Sequence, residues 1–219
     1  MPFVGYILAV LGGYLLGSIP TGFLVAKARG IDIRTVGSGN IGATNVFRQL
    51  GVPAGVFVLL ADALKGWIAV VVVSRLISHW LDPSADNDTR EWLALLAGVG
   101  AILGHNYTCW LHFKGGKGIA TSAGVIMALS PWGLLIILGI WIVVLGVTRY
   151  VSLGSICAAF ALPFAVWLTT RAVRLTVITA VLGALAIYKH RANIKRLLEG
   201  TENRIGKKAP PQSSASSPQ

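Results

Sequence analysis

Acidic residues are scarce in this chain. Only 8 of its 219 residues are Asp or Glu, charged residues of both signs make up 12% of it, and 54% of it is apolar. Because soluble domains carry about 25% charged residues, this composition excludes an ordinary soluble fold. The apolar residues occur in runs of about 20, the length that crosses a bilayer as a helix. The composition therefore predicts a helical membrane domain.

Cysteine and several other signals are also missing or nearly so. The two cysteines, Cys109 and Cys157, lie in or beside apolar segments without the spacing of a metal site, so we expect neither a disulfide nor zinc. No basic region precedes the apolar run that begins at Phe3, which argues against a cleaved signal peptide. The lack of a strong internal repeat weakens an interpretation as a secondary transporter.

Seven apolar segments can be drawn along the chain. They cover residues 3–26, 52–78, 92–110, 118–130, 132–148, 152–169 and 173–189, and the fourth is short for a full crossing. We therefore predict an all-α, polytopic integral membrane protein with seven transmembrane helices and cytoplasmic polar loops. Residues 1–208 would form one membrane domain. The tail at 209–219, rich in Pro, Ser and Gln, is expected to be disordered.

The basic residues between these segments predict the orientation. With seven crossings, fourteen of the 19 lysines and arginines fall on one side and four on the other, while Lys65 lies inside a segment. Since cytoplasmic loops carry the excess of Lys and Arg, the N-terminus should lie outside and the C-terminus in the cytoplasm. This placement explains the net charge of +11 better than nucleic-acid binding, which needs a basic face on a soluble fold.

Four polar segments fall on the predicted cytoplasmic side, in residues 37–48, in 114–118, at the start of the sixth apolar segment and just after the seventh. They combine hydroxyls, amides, glycines and cations, which together suit phosphate binding. We therefore expect them to converge on one site. Their candidate site residues are Ser38, Asn40, Thr44, Asn45, Arg48, Gly115, Gly116, Lys117, Gly118, Ser152, His190 and Asn193.

Each motif taken singly also fits a structural role. Residues 37–48 could be a polar turn, residues 114–118 a tight turn with topogenic lysines, and Ser152 a helix cap. The spacing of Gly37, Gly39 and Gly42 mimics a dinucleotide-binding fingerprint, but that match is discarded because no βαβ unit can be present. Residues 114–118 are not a Walker A loop either, because Lys117 is followed by Gly118 instead of Ser or Thr. Asp62 and Lys65, at i and i+3 inside the second segment, are interpreted as an intramembrane ion pair.

Several catalytic arrangements are absent from the predicted cytoplasmic side. It has no His-x₄-Asp pair, no close carboxylate pair and no visible Ser/His/acid triad. It carries enough donors and positive charges for about two phosphate groups. A reaction run by such groups needs an activated substrate with an anionic leaving group, since catalysis then consists mainly of positioning and charge neutralisation.

Seven motifs, taken together, give the chain a family resemblance. They are GSIPTG at 17–22, GSGNIGATN at 37–45 with Arg48, DALKG at 62–66, GH at 104–105, KGGKG at 114–118, HRAN at 190–193 and GTE at 200–202. In this order they resemble the PlsY family of bacterial integral-membrane acyltransferases. The resemblance covers nearly the whole chain, from residue 17 to about 206.

The resemblance implies a seven-helix enzyme of the bacterial inner membrane with a cytoplasmic site. It would transfer a fatty acyl group from acyl phosphate to the sn-1 hydroxyl of glycerol 3-phosphate, giving lysophosphatidic acid and inorganic phosphate, without a cofactor or a metal. A functional link to an enzyme that forms acyl phosphate is expected.

The resemblance also implies residue roles. The expected catalytic residues are Ser38, Arg48, Lys117, His190 and Asn193. The expected substrate-binding residues are Asn40, Thr44, Asn45, Gly115, Gly116, Gly118, Ser152 and Glu202.

Two other functional classes stay open on the sequence alone. An organic-anion or phosphate-ester transporter would use the polar loops as a gate, but the polar motifs cluster on one predicted face. A structural or interaction protein would need only topogenic charges, and the segments rich in glycine and hydroxyls argue against it.

Overall fold

The structure is a computed structural model that describes residues 2–206. It contains no strand in this range, which confirms the predicted all-α class, and the tail predicted to be disordered at 209–219 lies outside the described residues. A π-helical segment (Ala69–Val73) joins the helix that ends at Ile68 to the one that begins at Ser74, and a 3₁₀ turn (Cys109–Leu111) follows the helix that ends at Asn106. The helices are α1 (Pro2–Ser18), α2 (Thr21–Lys27), α3 (Ala43–Leu50), α4 (Val52–Ile68), α5 (Ser74–Leu81), α6 (Asn87–Asn106), α7 (Ile119–Leu129), α8 (Pro131–Thr148), α9 (Val151–Thr170), α10 (Val173–Lys189) and α11 (Arg191–Leu198).

Four helical stretches within residues 2–206 are long and apolar enough to cross a membrane. They are Phe3–Lys27, Val52–Leu81, Pro131–Thr148 and Val151–Thr170, and α10 with α11, bent by 56°, would make a fifth. The predicted count of seven is not reached by this criterion. The 20-residue α6 begins among polar residues, and α7, with 11 residues, is only about 16 Å long.

The first apolar segment, predicted as one helix, is broken between α1 and α2. Pro20 lacks an N–H and disfavours helical backbone at the residue before it, so α1 ends at Ser18. The carbonyl oxygens exposed by the break are satisfied by distant side chains. The Thr108 hydroxyl donates to Ser18 O (2.5 Å), and the Lys65 ammonium donates to Ile19 O (2.9 Å).

The predicted ion pair between Asp62 and Lys65 is confirmed. The Lys65 Nζ lies 2.8 Å from the Asp62 Oδ1, and both side chains are buried. Asp62 also lies 3.6 Å from the His105 Nδ1, so one carboxylate connects α4 to α6. Because the Lys65 ammonium also donates to Ile19 O, the pair links α4 and α6 to the break between α1 and α2.

Small residues let α1 and α6 pack in close contact. A Cβ atom added at Gly17 would lie 2.0 Å from Ala101 O, and one added at Gly104 would lie 2.1 Å from Tyr14 O. Glycine at these positions lets the two backbones touch, which is the way helices associate without a hydrophobic driving force in lipid.

Helix α7 is short and is joined to α8 by a single residue. Helices α7 and α8 share the turn at Ser130, where the Ser130 and Thr169 hydroxyls form a hydrogen bond of 3.1 Å. With 11 residues against 18, α7 is about 10 Å shorter than α8 along its axis. We call the end of the bundle that carries residues 37–48, 107–118, 149–152 and 190–206 the polar end.

We expect Gly17→Val to destabilise the protein by about 3 kcal/mol or more, because the added side chain meets a backbone carbonyl that cannot give way. The measurement is the thermal unfolding of detergent-purified protein. Gly139→Val in α8 is the matched control, since a Cβ there meets nothing within 4 Å. Equal unfolding temperatures of the two variants would contradict the importance of the contact between α1 and α6.

Candidate active site

One cavity of about 310 Å³ opens at the polar end. Its polar lining comes from all four polar segments, which confirms their predicted convergence. The polar and glycine residues that line it near this end are Ser38, Asn40, Gly42, Thr44, Asn45, Arg48, Lys117, Gly118, Ser152, His190, Asn193, Arg196 and Glu202.

The rest of the cavity is mostly apolar and runs between α4, α6, α7, α8, α9 and α10, and its polar lining residues there are Asp62, His105, Ser122 and Ser155. Its aliphatic and aromatic lining includes Leu59, Ile102, Ile126, Leu134, Ile137, Leu138, Trp141, Leu162 and Leu182. Two of these, Leu59 and Leu138, are also exposed on the outer surface of the bundle. The cavity therefore suits an amphipathic ligand with one anionic end.

The buried carboxylate of Glu202 organises the polar end. Its Oε1 accepts hydrogen bonds from the Ser152 hydroxyl (2.9 Å) and the Asn193 amide (2.8 Å), and its Oε2 accepts one from the Arg196 Nε (2.7 Å). Burial alone would raise the pKa of Glu202, but these hydrogen bonds and the charge of Arg196 hold it below its usual value. Glu202 is therefore an anion that fixes Ser152 and Asn193.

Lys117 reaches this network through Asn193. The Lys117 ammonium donates a hydrogen bond to the Asn193 Oδ1, whose own amide nitrogen is directed at Glu202. Burial lowers the pKa of Lys117 to about 8, although the charge of Glu202 opposes this shift. Lys117 thus keeps its positive charge at neutral pH and loses it in mildly alkaline solution.

His190 is held as a neutral imidazole whose Nε2 has no hydrogen-bond partner within residues 2–206. Its Nδ1 lies 2.7 Å from Ala186 O, and since a carbonyl only accepts, Nδ1 must carry the proton. Burial and the nearby positive charge of Lys117 lower the pKa of His190 to about 4. At neutral pH the Nε2 atom is therefore unprotonated and can accept a proton or a hydrogen bond.

Asn45 maintains the shape of residues 33–40. Its buried side-chain amide donates to the carbonyls of Ile33, Val36 and Asn40 at 3.0–3.2 Å, and its Oδ1 accepts the Ser38 N–H at 3.1 Å. Although Asn45 lines the cavity, its donors are already used, which does not fit the expected phosphate contact. In the described part of the chain, the neighbouring hydroxyls of Ser38 and Thr44 donate to no protein group.

The glycine loop is attached to the end of α6 through its own amides. The N–H of Gly115 donates to Asn106 O (3.2 Å) and that of Gly116 to His105 O (3.0 Å). Neither glycine lines the cavity, so the expected direct anion contact by Gly115 and Gly116 does not fit this geometry. Lys117 and Gly118 do line it, and Gly118 takes the left-handed backbone (φ +79°) that begins α7.

Asn40 and Arg48 complete the rim of the cavity. The Asn40 Oδ1 accepts the Gly42 N–H (2.9 Å), and the Arg48 guanidinium donates to Asn203 O (3.4 Å).

Arg196 was not predicted as a site residue, although it pairs with Glu202 and lines the cavity. Its position three residues after Asn193, on the same helical face, was the available signal.

These observations define the class of protein: a helical membrane protein whose amphipathic cavity ends in a cationic, hydrogen-bonding site. A family model described as "Glycerol-3-phosphate acyltransferase" matches residues 7–200. The chain therefore belongs to the glycerol-3-phosphate acyltransferase family.

Individual relatives agree with this assignment. The chain is 52% identical to a glycerol-3-phosphate acyltransferase of Geobacter metallireducens, covering 91% of this chain and 97% of the relative. It is 50% identical to that of Geobacter sulfurreducens, covering 88% and 93%, and 49% identical to that of Geotalea daltonii, covering 90% and 96%.

Two solved structures share the fold. Both are of PlsY, described as an integral membrane glycerol 3-phosphate acyltransferase. The glycerol 3-phosphate form has a TM-score of 0.80 and 40% identity, covering 92% of this chain and 96% of that one. The lysophosphatidic acid form has a TM-score of 0.77 and 39% identity, covering 94% and 95%.

The pKa of Lys117 predicts the pH dependence of anion binding at the polar end. Sulfate, which keeps its charge in this range, should bind with an affinity that falls up to about tenfold per pH unit once the pH exceeds about 8, because the ammonium form is then lost. Calorimetric titration of the purified protein measures this.

Lys117→Arg is the matched variant, since a guanidinium stays charged throughout this range. Its sulfate affinity should stay level where that of the wild type falls. The same decline in both proteins would contradict the assignment of the titration to Lys117.

Proposed function

We propose that the protein transfers a fatty acyl group from acyl phosphate to the sn-1 hydroxyl of glycerol 3-phosphate, giving lysophosphatidic acid and inorganic phosphate. The observation that carries this proposal is the cavity itself. Its apolar length suits an acyl chain, and its cationic end suits two phosphorylated groups. The names of the relatives and the two ligand forms of PlsY support it, and they do not support the transporter alternative.

The reaction needs little covalent chemistry from the protein. An acyl phosphate is a mixed anhydride, so its phosphate leaves readily once its negative charge is neutralised. The attacking hydroxyl oxygen bonds to the acyl carbon, the bond from that carbon to the phosphate oxygen breaks, and the phosphate departs with the electron pair. No acyl-enzyme is required, and catalysis rests on positioning and charge neutralisation.

The residues divide between the two substrates. Ser38 and Thr44 offer free hydroxyls for the acyl-phosphate headgroup, and Arg48 offsets charge on the leaving phosphate. Lys117 and the backbone at Gly118 orient glycerol 3-phosphate, while Asn193 holds the Lys117 ammonium in place. The docking of the glycine loop on α6 gives Gly115 and Gly116 a supporting role in this scheme.

The hydroxyl proton has two candidate acceptors. One is the free Nε2 of His190, which lines the cavity beside Lys117 and Asn193. The other is a phosphate oxygen of a substrate. The low pKa of His190, about 4, makes its imidazole a weak base and favours the phosphate oxygen.

The membrane topology follows from the same proposal. We place seven crossings in a bacterial inner membrane, with the N-terminus outside and the polar end and C-terminus in the cytoplasm. The distribution of Lys and Arg supports this, since Arg75, Arg90, Arg171 and Arg174 are the only ones assigned to the opposite side. We also propose a functional link to an enzyme that forms acyl phosphate, and a reaction that requires neither cofactor nor metal.

Purified protein given acyl phosphate and labelled glycerol 3-phosphate should produce labelled lipid that extracts into organic solvent. Lys117→Ala should lower kcat/KM by about 10² or more, because a half-buried cation at the acceptor site is lost. Labelled solute accumulating in proteoliposomes without acylation would contradict the proposed function. A Lys117→Ala variant with the kcat of the wild type and an unchanged KM for glycerol 3-phosphate would contradict the role of Lys117 alone.

His190→Gln separates the two proton acceptors. Glutamine preserves a polar side chain but cannot take up a proton near neutral pH. We expect kcat to stay within about tenfold of wild type, which is less than the 10²–10⁴ that general-base catalysis contributes. A larger fall in kcat, with normal folding and an unchanged KM, would instead identify His190 as the base.

A further inference from the structure

Two cavities meet deep in the bundle. Beyond the large cavity lies a second one of about 10 Å³, lined by side chains of α6, α7 and α10. Ile126 of α7 and Leu182 of α10 line both cavities, so these two side chains form the partition between them. Ile126 is 2% exposed and Leu182 is 8% exposed, which places the partition in the protein interior.

The partition lies at a fixed depth below the polar end. Ile126 comes eight residues after Gly118, and Leu182 comes eight residues before His190. Each is therefore about 12 Å along its helix from a residue of the polar site. Both helices start or end at that site, so the two side chains lie at a matched distance from it.

The space behind the partition is apolar and tightly packed. Its other lining residues on α6, α7 and α10 are aliphatic, except for Thr179, whose hydroxyl donates to Thr176 O at 2.9 Å. About 10 Å³ without a free polar group is too small and too apolar to hold a water molecule. The remaining aliphatic lining residues are Leu95, Val99, Val125, Leu129, Leu175 and Ile178.

Steric exclusion, and not hydrophobic gain, has to decide which acyl chains this cavity accepts. A lipid chain that enters it comes from the bilayer, which is as apolar as leucine side chains. Each added methylene therefore gains almost nothing from burial in the cavity. A chain that reaches a packed wall, in contrast, has to displace side chains, and overpacking of that kind is strongly unfavourable.

We infer that Ile126 and Leu182 are specificity-determining residues that set the longest acyl chain the enzyme accepts. This inference rests on the proposed function, because it assumes that the acyl chain of the donor occupies the apolar cavity. Chains that end before the partition are accepted, and longer chains are rejected at these two side chains. Truncating either side chain joins the two cavities and lengthens the space for the chain.

The test measures kcat/KM for a series of saturated acyl phosphates of graded length, with labelled glycerol 3-phosphate. Ile126→Ala and Leu182→Ala should each raise the ratio of long-chain to short-chain kcat/KM by about tenfold, because the steric barrier is removed. Ile126→Phe should shift the longest accepted chain in the opposite direction. The KM for glycerol 3-phosphate should stay unchanged in all of them.

Leu93→Ala is the matched control. Leu93 is equally buried (2% exposed) but packs against α1, and it lines neither cavity. It reports the general effect of a core truncation on activity, and its chain-length profile should match that of the wild type.

Two results would each overturn a different claim, the first the chain-length inference and the second the proposed function. If wild type and variants acylate with identical chain-length profiles, the partition does not limit chain length and this inference is wrong. If the wild type forms no lipid from acyl phosphate of any length, the proposed function itself fails.

Discussion

The buried carboxylate of Glu202 is the contact on which the polar end depends. It joins the segment after α11 to Ser152 of α9 and to Asn193 and Arg196 of α11. A buried anion is tolerated only when it is paired and hydrogen-bonded, and both conditions are met here. Arg196 balances its charge, so Lys117 and Arg48 leave the cavity with an excess of positive charge. That excess of positive charge favours the binding of anions.

The features that follow local rules could be predicted from the sequence. Convergence of the four polar segments followed from alternating crossings and the bias of Lys and Arg, and the cavity lining confirms it. The pairing of Asp62 with Lys65 followed from their i,i+3 spacing within an apolar helix. Both predictions needed only the helical period and the cost of charge in lipid.

Features that depend on distant hydrogen-bond partners could not be predicted. Asn45 looked like a phosphate contact, but the carbonyls of Ile33, Val36 and Asn40 use its donors. The amides of Gly115 and Gly116 looked free, but the last carbonyls of α6 take them. In the same way, hydropathy showed one apolar segment at residues 3–26, while Thr108 and Lys65 stabilise the break within it. Composition reveals which groups can donate, but only the fold reveals where the acceptors are.

The apolar surroundings of the site explain why the charge of Lys117 needs a hydrogen-bonded partner. Lys117 lies just before the start of α7 and lines a cavity of mostly apolar side chains, so a cation lies in surroundings of low polarity. The low polarity strengthens the attraction between the Lys117 ammonium and a phosphate. It also lowers the pKa of Lys117, so the ammonium loses its proton more easily. The hydrogen bond to Asn193, itself anchored by Glu202, favours the charged form without neutralising it with a direct carboxylate partner. A direct ion pair between Lys117 and a carboxylate would keep Lys117 protonated, but the carboxylate would compete with the phosphate. The Asn193 amide between Lys117 and Glu202 is therefore the better arrangement for a site that must bind and release anions.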